Sequence, residues 1–154
     1  MESGVRIPEG AGATLRLRVP PDARYSGYVR KRVQSFAEGA NVPAADAAEF
    51  VSAVSEALAN AVEHSRSIES IDIACWVVGS DQLVATVVDH GIGFAAHEAV
   101  SEPRLPEPLV ERGRGLPIMR RYTDLFAVNS IPGRGTSVVL GRYLRRTQAG
   151  ATGD

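Results

Sequence analysis

A chain of 154 residues suits one domain with a real hydrophobic core and leaves too little for a second independent one. Hydrophobic residues at 44% and charged residues at 23% exclude a disordered chain. A formal net charge of -1, with Lys31 the only lysine among the basic residues, gives no electrostatic case for a nucleic-acid surface.

"TLRLRV" (14–19) alternates apolar and basic residues, the period of a strand with one buried face. Pro20 and Pro21 stop it, and Asp22 starts a helix on which Tyr25, Val29, Val33 and Phe36 recur at helical spacing up to Gly39. After the loop "NVP" (41–43), Asp46 with Glu49 three residues later resembles a capping box opening a second helix. At 100° per residue its Phe50, Val54, Ala57, Leu58 and Ala61 share one face, while Glu49, Ala53, Glu56, Asn60 and Glu63 lie roughly opposite. His64 drifts toward the edge of that stripe.

"SIDIACWVVG" and "QLVATVVDHG", joined at Gly79, Ser80 and Asp81, read as a β-hairpin of two apolar, β-branched strands. Cys75 in the first of them is the only cysteine, which excludes an internal disulfide or a cysteine-built zinc site and marks a buried structural thiol. Residues 94–112 contain three prolines and no sustained period, so they form a long loop of the kind that is often functional. A short helix follows from near Gly115, with Pro117 in its first turn, then a final hairpin made of "LFAVNS", "IPGRG" and "TSVVLGRYL". The expected domain covers 14–143, with an N-terminal extension (1–13) and a disordered tail (144–154). This order predicts an α+β protein, helices packed on one face of a mixed sheet. No apolar run approaches the roughly 18 to 20 residues that span a bilayer, and "MESGVRIPEG" lacks a signal-peptide core, so a cytoplasmic location is expected.

Four short signals occur in order: Glu56 and Asn60 on a helix, "DHGIG" (89–93) closing a strand, "GRG" (113–115) before a helix, and "GRGT" (133–136) before the last strand. Each alone is weak, since a solvated helix face or a turn explains it. Together they supply the separate needs of a bound nucleoside triphosphate. Asp89 can accept a hydrogen bond from an exocyclic amine such as that of adenine, and Gly91 and Gly93 let the backbone approach the base. A Gly-rich loop opening onto a helix offers N–H groups and a positive dipole end to phosphates, and Arg112 and Arg114 add planar cationic forks. Mg²⁺ keeps several waters, so the Asn60 carboxamide oxygen plus phosphate oxygens suffice for it. Glu56, one turn earlier, then lies near the terminal phosphate as a general base, a role typically worth about 10² to 10⁴ in rate.

"SEALANAVEH", "DHGIGF", "ERGRGLPIM" and "PGRGTSV" resemble the N, G1 and G2 boxes and the closing Gly-Thr strand of the GHKL ATPases, which share the Bergerat fold, a two-layer α/β sandwich. The resemblance covers roughly residues 14–143. Within that group the chain is most similar to the anti-sigma-factor serine kinases of the RsbW and SpoIIAB type. The resemblance implies Glu56 as general base toward a substrate serine, Asn60 as Mg²⁺ ligand and Asp89 as the adenine-reading carboxylate, with Gly91 and Gly93 beneath the base. It places Arg112, Gly113, Arg114, Gly115 and Leu116 on the lid and phosphate turn, and Thr136 as support for Asp89. His64 recurs after the asparagine in many members, where it braces the lid or the helix end. His90 stands where smaller or acidic residues are frequent.

The implied activity is ATP- and Mg²⁺-dependent transfer of the γ-phosphate to a serine of an anti-anti-sigma protein of the STAS type, alternating with sequestration of a sigma factor. The implied assembly is a homodimer, without nucleic acid or membrane. The alternatives are an ATP-dependent sequestering module without kinase activity and a switch kinase of the RsbT type. A histidine-kinase phosphotransfer role is disfavoured, because the helix before Asn41 contains no histidine.

Overall fold

The computed structural model describes residues 5–91 and 123–144. The expected loop 94–112, the helix near Gly115, and Gly93, Arg112, Gly113, Arg114, Gly115 and Leu116 lie outside these residues. Five strands and two α-helices are described: β1 (Thr14–Val19), α1 (Ser26–Gly39), α2 (Ala44–His64), β2 (Ile71–Val78), β3 (Gln82–Asp89), β4 (Leu125–Ile131) and β5 (Gly135–Tyr143). The strands form one sheet in the order β1-β2-β3-β5-β4. Every described pairing is antiparallel, so the sheet is not the mixed one expected. Two tight hairpins, β2–β3 and β4–β5, make two of these pairings, while β3 and β4 run parallel to each other with β5 between them, so no parallel strands are neighbours among the described residues.

Both helices form on amphipathic segments. Asp22 Oδ1 accepts the Arg24 N–H at 2.9 Å and opens a single 3-10 turn (Ala23–Tyr25), after which α1 buries Val29, Val33 and Ala37 at a spacing of four. In α2, rich in the best helix former, alanine, the predicted core face is buried as expected. Ala53, assigned by the helical wheel to the polar stripe, is fully buried too, because α2 packs against α1 as well as the sheet and so needs a wider apolar face.

The Asp46–Glu49 pair is not a capping box. Pro43 occupies the N-cap, and Asp46, fully buried, receives Arg142 Nε and Nη2 at 2.9 Å each. Glu49 pairs with the same guanidinium. Arg142 comes from the helix-facing side of β5, so the three charges tie the first turns of α2 to the far end of the sheet.

Strand alternation sorts the sheet into two faces. Leu17, Ile73, Leu83 and Leu140 point toward the helices and join the main core, and Asp89 and Thr136 stand in the same layer at one end. On the outer face Ala74, Trp76 and Val84 form a second, smaller cluster covered by the segment that precedes β1. Val5 is buried there, its carbonyl accepting Arg16 Nη1 at 2.9 Å, and Gly12 N–H donates to Val77 O at 2.9 Å. Leu144, the first residue of the expected tail, is buried and its N–H donates to Asp81 O at 2.8 Å.

Candidate functional site

The site is built where the end of β3 meets the C-terminal half of α2. Glu56, Asn60 and His64 follow one another at intervals of four, so successive side chains stand about 6 Å apart along one ridge of a rigid helix. All three are half-buried. Among the described residues Glu56 takes part in no ion pair. His64 Nε2 lies 3.4 Å from a Glu63 carboxylate oxygen at the helix end.

Asp89 is the last residue of β3 and is 6% exposed. Burial pushes its carboxyl above the ordinary aspartate range. The backbone N–H groups of Gly91 and Thr136, and then His90 and His64, act the other way. Gly91 N–H donates to Asp89 Oδ1 at 2.9 Å, closing an Asx-type turn immediately after the strand. A carboxylate has about four acceptor positions, so two backbone donors leave room for an amine from a ligand.

The turn beyond Asp89 is fitted closely to its neighbours at two glycines. A Cβ on Gly91 would run into the backbone of Ser65, just past the end of α2. Gly135, at φ +119°, starts β5 against the carbonyl of Asp89, where a Cβ would again meet backbone. Thr136 stands opposite Asp89 in the β3–β5 register. Its hydroxyl is 2.8 Å from Ser130 Oγ on β4, which is also 3.3 Å from Gly135 O.

Asp89, Gly91 and Thr136 thus meet where β3 ends and β5 begins, and Gly91 sits against Ser65, just past the end of the helix that carries Glu56 and Asn60. Sequence reasoning missed Ser130, which holds the Thr136 hydroxyl, because only the β4–β5 register brings them together. It also missed Asp72, a fully buried carboxylate in an apolar strand. The alternation of "SIDIACWVV" offered that signal, since a charge at such a position needs a partner.

Two helices on one face of an antiparallel sheet, with a buried aspartate at a strand end, are the arrangement expected of a histidine kinase-like ATPase domain. The family model described as histidine kinase-like ATPase domain matches residues 19–142. An anti-sigma F factor of Geobacillus sp. (strain WCH70) is 31% identical over 139 residues, covering 88% of this chain and 95% of that protein. One from Caldanaerobacter subterraneus subsp. tengcongensis is 27% identical over 138 residues, 87% and 96% of the two chains.

Among solved structures, the RsbU and RsbW domains of Rv1364c from Mycobacterium tuberculosis align with a TM-score of 0.66 at 21% identity. That match covers 85% of this chain, which spans about a third (32%) of the larger one. The histidine kinase domain of Erythrobacter litoralis EL346 aligns at a TM-score of 0.55 and 22% identity, over 91% and 68% of the chains. The two structural likenesses bear on the fold alone. The chain belongs to the histidine kinase-like ATPase domain family, in the branch that holds the anti-sigma F factors.

Proposed function

We propose that this chain is an ATP- and Mg²⁺-dependent protein-serine kinase that acts as an anti-sigma regulator, phosphorylating a serine of an anti-anti-sigma protein and sequestering a sigma factor. The observation that supports the reading is the half-buried pair Glu56 and Asn60, one turn apart on α2, the helix whose C-terminal end meets the turn that follows the buried Asp89. Names of relatives matched over nearly their whole length support the partner class. A cytoplasmic homodimer belongs to the same reading. Among the described residues no helix is long and apolar enough to cross a membrane.

The donor set fits the nucleotide. Asp89 accepts the exocyclic amine with its free acceptor positions while Gly91 N–H holds the carboxylate in place. Asn60 supplies a neutral oxygen suited to a cation that prefers oxygen ligands and retains waters. Bound Mg²⁺-ATP supplies the transferable phosphoryl group and neutralises charge on its oxygens. Glu56 takes the proton of the partner's serine hydroxyl as its oxygen attacks the γ-phosphorus and the bond to the β-phosphate oxygen breaks. Arg112, Gly113, Arg114, Gly115, Leu116 and Gly93 belong to phosphate and base binding on their sequence alone.

The test is transfer of label from γ-labelled ATP to a protein captured by this chain, with Glu56→Gln alongside. Acid-stable, serine-linked label with the wild type only, both proteins binding ATP equally, is the expected result. A loss of about 10² or more in transfer rate measures the base. ATP-dependent capture without label replaces the kinase with a sequestering module.

A further inference from the structure

His90, in the "DHGIG" turn, has no role in the nucleotide reading above. Strand alternation carries its side chain to the outer face of the sheet, opposite to Asp89. There Asp72, 1% exposed, uses both carboxylate oxygens: Oδ1 accepts Arg18 Nε at 2.7 Å and Oδ2 lies 3.1 Å from His90 Nε2. Arg18 and Asp72 are direct cross-strand partners on β1 and β2, and Asp72 faces Val88 on β3. His90, two residues beyond Val88, reaches back diagonally across the same face.

Arg18 occupies one oxygen of Asp72, and in the bond at the second oxygen a carboxylate can only accept, so His90 donates through Nε2. The last residue of β3 and the two that follow are therefore held separately: Asp89 on the helix side by backbone N–H groups, His90 on the outer side by Asp72, and Gly91 against Ser65. A turn pinned on both faces presents the Asp89 carboxylate in one orientation.

Resting on the nucleotide reading above, we propose that His90 is a positioning residue for adenine recognition: its bond to Asp72, itself anchored by Arg18 of the edge strand, sets the aim of Asp89. The pair is about one-third exposed on the histidine side, so it adds little to global stability and its effect falls on the aim of the turn.

The experiment measures equilibrium binding of ATP and of purine riboside triphosphate, which lacks the exocyclic amine, to wild type, His90→Ala, His90→Gln and Asp89→Asn. Loss of one oriented hydrogen bond predicts that His90→Ala weakens ATP about fivefold while the analogue changes by less than about twofold. Gln places its Nε2 where the imidazole Nε2 stood and restores ATP binding. In the Asp89→Asn background, His90→Ala has no further effect, because it acts only through that carboxylate. Equal losses for both nucleotides, no loss for ATP, no rescue by Gln, or additive losses in the double variant would each overturn the proposal. If wild type binds ATP and the analogue equally, Asp89 does not read the amine and the underlying nucleotide reading fails first.

Discussion

Arg142→Met removes the cation that serves a buried carboxylate. Asp46 is 0% and the Arg142 side chain 7% exposed, and two guanidinium nitrogens reach the same carboxylate oxygen at 2.9 Å. Methionine retains most of the apolar stem, so the change reads the charge rather than a cavity. Breaking one side of a buried pair costs about 3–5 kcal/mol, because the remaining ion keeps its desolvation cost without its partner. Against a total stability of about 5–15 kcal/mol, that is a fall in Tm on the order of 10–20 °C. The double variant Asp46→Ala with Arg142→Met removes both charges and should recover most of the loss. Urea unfolding followed by far-UV circular dichroism and Trp76 fluorescence measures both. A single-variant cost below about 1 kcal/mol, or a double variant as unstable as the sum of the singles, would refute the reasoning.

Two further outcomes are expected at the site. Burial raises the Asp89 pKa, so the stability that group contributes is complete below the unfolded aspartate value of about 3.9 and is lost as pH rises through the folded one. Asp89→Asn should therefore gain stability relative to wild type as pH increases over the carboxylate range, read as Tm from pH 4 to 8, while ATP binding weakens about 10- to 100-fold by titration. A relative stability that falls with pH would reverse the sign of the argument. Gly91→Ala forces a methyl group into the Ser65 backbone, which has no rotamer by which to yield. It should cost about 1–3 kcal/mol in urea unfolding and weaken ATP binding together, and a wild-type Tm would show that the turn has slack.

Most of the architecture was legible because two periodicities dominate the sequence. The spacing of Phe50, Val54, Ala57, Leu58 and Ala61 has one low-energy solution, a helix with that face buried. The alternation in 14–19 and the two β-branched runs around Gly79 likewise permit little besides strands. Asp46 with Glu49 was misread because a first-turn carboxylate three residues before a glutamate has the same local signature whether it caps the helix or pairs with a distant arginine. Arg142 is 96 residues away from Asp46, and no local pattern connects them.

The sequence by itself determined the types of the described elements and the order of the boxes, since helix and strand periods are local properties, and the candidate residues Glu56, Asn60, Asp89 and Thr136 fall on one helix and at strand ends. Only the tertiary structure decided which strands are neighbours, and hence that Ser130 holds Thr136 and that Arg18, Asp72 and His90 form one chain of contacts across three strands. The physical reason is register. A shift of one residue moves every side chain to the other face of the sheet, and that choice is fixed by packing between segments far apart in the chain.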